Sequence, residues 1–146
     1  MTQRVFVDAN IINDLYDAER PGHKPSFQCL EYFLEQDVTL VTSCDLVTTV
    51  YYITARSKDA VQALDALAEV NDIFEIVPFD NALLSQAIGL MQEDEDYKDL
   101  EDTLQFVMAK QAECDLILTN DKRFVAKEMQ LFSSAGFLAT IDNIAD

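Results

Sequence analysis

The segment DLEDTLQFVMAKQAECDLILTNDKRF, residues Asp99–Phe124, carries the clearest structural signal in this chain. Its first half has apolar residues at the helical period, which predicts a helix over Leu100–Ala112. A short, continuous apolar run then predicts a buried strand at Asp115–Thr119, and polar residues follow it. A helix that leads directly into a buried strand is typical of proteins in which helices cover a parallel sheet.

The rest of the chain repeats this alternation on both sides of that segment. Strands are expected at Arg4–Asp8, Val38–Thr42 and Phe74–Pro78, with a weak last strand at Gly136–Thr140. Helices are expected at Asn10–Ala18, from Ser26, at Asp45–Ala55, at Lys58–Val70, at Asn81–Met91 and at Lys122–Met129. The alternation predicts an α/β fold with a parallel sheet between two layers of helices. We expect a single domain over residues 1–146.

The helix expected at Lys58–Val70 is amphipathic. The apolar residues that share one of its faces are Val61, Leu64, Leu67 and Ala68. This face is therefore expected to be buried.

The charge of the chain restricts its partners. It has 146 residues, of which 27 are acidic and 10 basic, and its net charge is −17. Such a charge opposes the binding of polyanions, whose non-specific affinity depends on lysine and arginine. We expect no leader sequence, because no charged-then-apolar segment opens the chain, and no membrane span, because no apolar run reaches the roughly 18 residues that a span needs. The three cysteines lack metal-site spacing, so we expect reduced thiols, no membrane association and a cytoplasmic location.

Acidic residues follow two predicted strands and begin one predicted helix. Asp8 follows the apolar residues of one strand and Asp121 comes just beyond the end of another, while Asp99 and Asp102 lie three residues apart at a helix start. The carboxyl ends of parallel strands share one edge of a sheet, where ligands usually bind. Two carboxylates about 4 Å apart there would repel by on the order of 4 kcal/mol. Either some of them stay protonated or a hard divalent cation with oxygen ligands neutralises them.

Each of these acidic residues also has an ordinary structural explanation. Asp8 and Asp99 suit helix N-caps, and Asp99 with Asp102 resembles a capping box. Asp121 fits an Asn-Asp turn that leaves a strand. Capping explains Asp102 less well, because Glu101 already supplies the first helical turn with negative charge. Only the joint position of these residues therefore favours a metal site, in which the hydroxyl of Thr119 would orient water or a neighbouring acid.

Several other chemistries are disfavoured. His23 is the only histidine and lies between proline and glycine residues, so we expect a solvated loop residue and no histidine-dependent triad. The three glycines are too far apart for a phosphate-binding loop. An aspartyl-phosphate enzyme with Asp8 as nucleophile is an alternative, but such enzymes usually carry a second acid where Asn10 stands here.

The segments VFVDANIINDLY near the start and DLEDTLQFVMAKQAECDLILTNDKRF near the end, with the order of elements between them, resemble the PIN-domain nucleases. This family includes the VapC-type toxins of bacterial toxin–antitoxin pairs. The resemblance implies a three-layer α/β/α domain with a mostly parallel five-stranded sheet and a carboxylate pocket that holds Mg²⁺ or Mn²⁺. By position, Asp8, Asp102 and Asp121 resemble the metal ligands and catalytic acids of the family. Asp99 resembles an additional acid on the rim, and Thr119 and Asn10 are supporting residues.

The chain departs from the family pattern at Thr49, which stands where the family usually has a glutamate. Asp45, one helical turn earlier, would be a substitute that reaches the pocket from a different height. The missing acid also favours a second hypothesis, a catalytically weakened PIN-like domain that acts as a protein- or RNA-binding module.

The resemblance implies a metal-dependent endoribonuclease whose partners are RNA, a small antitoxin and a second copy of the chain. The antitoxin would insert a basic side chain into the acidic pocket. Lys122 and Arg123, with Lys98 and Lys24, are candidates for weak attraction of the RNA backbone.

Overall fold

The computed structural model describes residues 3–145 of the chain. The strands over this span are β1 (Arg4–Val7), β2 (Thr39–Ser43), β3 (Phe74–Val77), β4 (Leu116–Leu118) and β5 (Gln130–Phe132). The helices are α1 (Ala9–Leu15), α2 (His23–Glu35), α3 (Cys44–Ser57), α4 (Ala60–Ile73), α5 (Asn81–Glu93), α6 (Leu100–Gln111) and α7 (Ser134–Ala145).

The five strands form one sheet in the order β3-β2-β1-β4-β5, and every neighbouring pair is parallel. The predicted three-layer α/β/α class is confirmed, with an all-parallel sheet in place of a mostly parallel one. The chain moves outward from β1 through β2 to β3 and then crosses to the other side of β1 for β4 and β5. The crevice between the carboxyl ends of β1 and β4 is therefore the switch point at which ligands bind in open parallel sheets.

The central strands are buried because helices cover both faces of the sheet. Val5, Phe6 and Val7 of β1 are fully buried, as are Ile117 and Leu118 of β4. The helices also pack in neighbouring pairs, α1 with α2, α3 with α4 and α5 with α6. This packing holds the start of α1 and the start of α6 next to the ends of β1 and β4.

Two predictions about the last quarter of the chain were wrong. Gly136–Thr140 lies within α7, and the last strand is Gln130–Phe132. The Oγ of Ser133 accepts a hydrogen bond from the backbone N–H of Gly136 at 3.0 Å, which favours a helix start at this point. Lys122–Met129 is irregular because a tertiary contact replaces helical bonding, with the hydroxyl of Tyr97 accepting from the N–H of Lys127.

The buried face of α4 also differs from the prediction. Val61 and Leu64 are 70% and 58% exposed, whereas Ala63, Ala66 and Val70 are buried. The small alanine side chains let α4 approach α3 closely, so the helix packs through its smaller residues. None of the helices in the described part of the chain combines the length and apolar character that crossing a bilayer requires.

Candidate active site

The first wall of the site is built around the carboxylate of Asp8. Asp8 follows β1, caps α1 and is 6% exposed. One of its oxygens accepts from the N–H of Ala9 at 2.6 Å, and the other accepts from the Thr119 hydroxyl at 2.8 Å and from Asn10 Nδ2 at 3.0 Å. Burial raises the pKa of Asp8, while the hydrogen bonds from Thr119 and Ala9 oppose that rise. The surrounding donors therefore hold this carboxylate in one orientation.

The same hydrogen bonds join the ends of β1 and β4. Thr119 Oγ1 accepts from Asn10 Nδ2 and from the backbone N–H of Asp121, both at 3.1 Å. Asn10 Oδ1 accepts from the backbone N–H of Asn120 at 3.0 Å. The turn that carries Asp121 is thus fixed relative to Asp8.

A buried polar cluster lies behind this wall, centred on Asp14 of α1. The carboxylate of Asp14 accepts from Arg20 Nε and Ser26 Oγ at 2.8 Å and from Asn120 Nδ2 at 3.0 Å. Gly22 lies so close that a Cβ atom there would be 2.2 Å from Asp14 Oδ2. Asn120 Oδ1 in turn accepts from the N–H of Ser134 at 2.9 Å, so the cluster ties α1 and α7 to the turn after β4.

The prediction for His23 was wrong. It is the first residue of α2 rather than a solvated loop residue. Its Nδ1 lies 2.7 Å from the carbonyl oxygen of Asp14, so it packs against the same buried cluster.

The second wall is the start of α6, where the carboxylates are less enclosed. Asp99 caps the helix and accepts from the N–H of Asp102 at 2.9 Å. Burial, together with the negative charges of Asp99, Asp8, Asp121 and Glu101, raises the pKa of Asp102 to about 7. Burial and the nearby charges of Asp8, Asp45 and Asp99 also raise the pKa of Glu101. Repulsion at this wall is therefore only partly relieved by hydrogen bonds.

The two walls enclose two adjoining clefts. The inner cleft has a volume of about 290 Å³ and is lined by Asp8, Ala9, Asn10, Asn13, Arg20, Thr49, Ile53, Asp99, Glu101, Asp102 and Asp121. The outer cleft has a volume of about 690 Å³ and is lined by Asp96, Tyr97, Lys98, Asp99, Asp102, Thr103, Asp121, Arg123 and Val125. Because Asp99, Asp102 and Asp121 line both clefts, these acidic residues lie where the two clefts meet.

Most of the residues singled out in the sequence lie at these clefts. The inner cleft contains the four predicted acids together with Asn10 and Thr49, and the Thr119 hydroxyl bonds to Asp8. Arg123 and Lys98 line the outer cleft, whereas Lys122 and Lys24 line neither.

Asp45 is not part of the lining of either cleft. It lies in the first turn of α3, and its charge raises the pKa of Glu101. Its Oδ1 is buried and has no hydrogen-bond partner among the described residues. Asp45 therefore affects the cleft through its negative charge, although its side chain does not line the cleft.

Sequence reasoning missed two residues that line the inner cleft, Asn13 and Arg20, and one that lies behind Asp8, Gln105. Asn13 lies one helical turn after Asn10, and Gln105 one turn after Asp102, so helical spacing would have found both. Gln105 is 1% exposed, and its side-chain amide near Asp8 lowers the pKa of that carboxyl. Arg20 carries no such signal, because it reaches the cleft only through the turn between α1 and α2.

The donor atoms at the clefts suit a hard divalent cation. Carboxylate oxygens are the ligands that Mg²⁺ and Mn²⁺ prefer, and burial together with the nearby negative charges raises the pKa of Asp102. Among the residues that the structure describes, no three acidic, histidine or cysteine side chains already stand close enough to form a ready metal shell. Asp8, Asp102 and Asp121, which line the inner cleft together, are the residues that would hold such an ion.

Comparisons with known proteins agree with this architecture. The sequence profile of the PIN domain matches residues 5–128. Ribonuclease VapC1 from Aquifex aeolicus is 44% identical over 136 residues, which are 93% of this chain and 94% of that protein. VapC20 from Mycobacterium tuberculosis, a sarcin–ricin loop cleaving toxin, has a TM-score of 0.64 at 16% identity, over 77% of this chain and 86% of that one. A toxin–antitoxin complex from Klebsiella pneumoniae gives 0.68 at 18% identity, over 89% and 97%. The two structural likenesses show the fold alone.

Proposed function

This chain belongs to the PIN-domain family, and we propose that it is a metal-dependent endoribonuclease that hydrolyses RNA phosphodiester bonds. One observation carries the proposal: Asp8, Asp102 and Asp121 come from distant parts of the chain and line a single cleft at the switch point of the sheet. The identity of 44% to a protein named Ribonuclease VapC1 supports RNA as the substrate.

The residues have distinct roles in this proposal. Asp8, Asp102 and Asp121 would hold the ion, with Asp99 on the rim. Thr119 and Asn10 fix Asp8 by hydrogen bonds, so that its carboxylate needs little reorganisation. When bound there, Mg²⁺ or Mn²⁺ would lower the pKa of a water molecule and stabilise negative charge on the phosphate. Once neutralised, the cleft carboxylates no longer repel an RNA phosphate.

The weakened binding module remains a second candidate because of Thr49. This residue lines the inner cleft and brings a hydroxyl where the family usually has an acid. Titration calorimetry with Mn²⁺ separates the two candidates. A nuclease should bind Mn²⁺ at a saturable site that Asp102→Asn weakens, whereas a silent module should show no such site.

Cleavage of single-stranded RNA with Mg²⁺ or Mn²⁺ tests the enzymatic proposal. We expect EDTA to abolish cleavage, and Asp102→Asn to reduce it at least about 10³-fold, because several kcal/mol of charge stabilisation is lost. Asp65→Asn removes the same charge from an exposed position on α4 and should leave cleavage unchanged. Cleavage that survives both EDTA and Asp102→Asn would rule the proposal out.

We further propose that the chain is the toxin of a toxin–antitoxin pair, acts in the cytoplasm and forms a homodimer. The structural likeness to a toxin–antitoxin complex supports an antitoxin partner. A basic side chain of that antitoxin would suit the acidic cleft, since charge-assisted hydrogen bonds to carboxylates are strong. Light scattering on the purified chain, alone and with an antitoxin candidate, tests both assemblies.

A further inference from the structure

Among the described residues, Arg20 is the only basic residue that lines the inner cleft. The same lining holds five carboxylates, those of Asp8, Asp99, Glu101, Asp102 and Asp121. Its Nε donates to Asp14 Oδ1 at 2.8 Å, and its side chain is 33% exposed. Within the described residues, neither terminal nitrogen of the guanidinium has a hydrogen-bond partner. Arg20 therefore presents unused donors beside the carboxylates.

Asp14 holds Arg20 in position. The Asp14 side chain is 5% exposed, and its other oxygen is occupied by Ser26 and Asn120. The backbone at Gly22 closes over the same carboxylate. Because its Nε is fixed in this way, the guanidinium of Arg20 has a fixed orientation. The two terminal nitrogens of a guanidinium can bind two oxygens of one phosphate group.

Asn13 supplies a second unused group in the same cleft. Asn13 is only 3% exposed, and its buried Oδ1 has no hydrogen-bond partner among the described residues. A buried acceptor without a donor is costly, so a ligand that donates to it would gain affinity. The ribose 2′-hydroxyl is such a donor and distinguishes RNA from DNA.

We propose that Arg20 and Asn13 form a ribose-phosphate subsite in the inner cleft, with Arg20 binding a phosphate and Asn13 Oδ1 accepting from a 2′-hydroxyl. This inference rests on the proposed ribonuclease function and names how RNA is held. Lys98 and Arg123 line the outer cleft, beyond the shared residues Asp99, Asp102 and Asp121. The RNA strand would thus cross the carboxylates with a basic residue on each side.

The test measures binding of one single-stranded oligonucleotide as RNA and as DNA, by fluorescence anisotropy at several salt concentrations. All variants carry Asp102→Asn and Mg²⁺ is present, so that no strand is cleaved. Arg20→Gln should weaken both ligands about tenfold and reduce the slope of log K against log salt by about 0.7, because one phosphate contact is lost. Lys110→Gln removes an exposed charge outside both clefts and should leave the slope unchanged.

Asn13→Leu keeps the side-chain volume and removes the acceptor. It should weaken RNA binding about fivefold, as expected for one lost hydrogen bond, and leave DNA binding unchanged. Equal losses for RNA and DNA would overturn the ribose contact. Thermal unfolding checks that each variant is folded. If Arg20→Gln does not fold, Arg20→Lys replaces it in the binding experiment. The lysine keeps the charge next to Asp14 but loses the fork, so affinity should fall about threefold.

The outcomes separate this inference from the proposed function. An unchanged salt slope in folded Arg20→Gln overturns the subsite even if the wild-type chain cleaves RNA. A slope that depends on Arg20, in a chain that cleaves no RNA, supports the subsite and contradicts the nuclease proposal.

Discussion

The carboxylates on the two walls of the cleft differ in how well hydrogen bonds compensate their negative charge. The β1–β4 wall, taken together with the buried cluster behind it, holds the carboxylates of Asp8 and Asp14. Each of these two carboxylates is buried and accepts three hydrogen bonds from nitrogen or hydroxyl donors. On the α6 wall, made of Asp99, Glu101 and Asp102, the carboxylates are more exposed and repel one another. Folding therefore gives the carboxylates of the β1–β4 wall their hydrogen-bond donors. The carboxylates of the α6 wall still repel one another in the folded chain, and a bound cation would relieve that repulsion.

This difference predicts opposite effects of mutation. Removing a carboxylate from the β1–β4 wall leaves buried donors without an acceptor and should destabilise the fold. Removing one from the α6 wall relieves repulsion and should stabilise the fold while it weakens metal binding. The predictions below test this contrast.

The largest effect is expected for Asp14→Ala. Arg20, Ser26 and Asn120 would all lose their acceptor, so the free energy of unfolding should fall by about 3 kcal/mol in urea denaturation. The control is Asp17→Ala, because Asp17 is more exposed than Asp14, makes a longer contact of 3.6 Å to Lys58 and accepts one hydrogen bond, from the N–H of Glu19. It should cost less than about 1 kcal/mol. Equal losses in the two variants would mean that the buried cluster is no more important than a surface ion pair.

Gly22→Ala should be the next most damaging change. The new Cβ would lie 2.2 Å from Asp14 Oδ2, so the carboxylate must shift away from its donors. We expect a loss of about 2 kcal/mol, as for overpacking in a core. Gly89→Ala is the matched control, since nothing lies within 4 Å of its Cβ position in α5. It should stabilise the chain by about 0.5–1 kcal/mol. A loss of stability in both glycine variants would therefore contradict this reasoning.

The metal affinity should depend on pH through Asp102. Its pKa of about 7 means that protons compete with the cation below neutral pH. Calorimetric affinity for Mn²⁺ should therefore fall about tenfold between pH 8 and pH 6, since the ionised fraction of a group with this pKa falls by that factor. Affinity that does not change over this interval would mean that Asp102 is not a ligand.

Asp102→Asn should have the smallest effect on the free energy of unfolding, and it should stabilise the fold rather than destabilise it. The pKa of Asp102 is raised above its unfolded value of 3.8, so the unfolded chain ionises first and stability falls as pH rises from about 4 to about 7. Because the side chain is only partly buried and solvent screens its neighbours, we expect a gain of about 1 kcal/mol at pH 8 without metal. The gain should vanish at pH 4, and a loss at pH 8 would refute the repulsion argument.

Much of the fold followed from local patterns. The apolar runs of β1 and β4 predicted buried parallel strands, and the acids that follow them lie at one edge as expected. The weak final strand at Gly136–Thr140 was wrong because its apolar residues suit a helix equally well, and the hydroxyl of Ser133 favours the helix. The inner face of α4 was wrong because hydropathy favours the larger side chains, whereas close packing on α3 selected the alanines.

The acidic cleft was predictable because Asp8, Asp99, Asp102 and Asp121 each adjoin the end or start of an element, and parallel strands align their ends. The partners of those carboxylates were not predictable, because Arg20, Ser26 and Asn120 meet Asp14 across 6 to 106 residues of chain. Periodicity and spacing report only on neighbours within a turn or a strand. Which carboxylates are held by donors and which are left in mutual repulsion depends on those distant contacts, and so only the folded chain decides it.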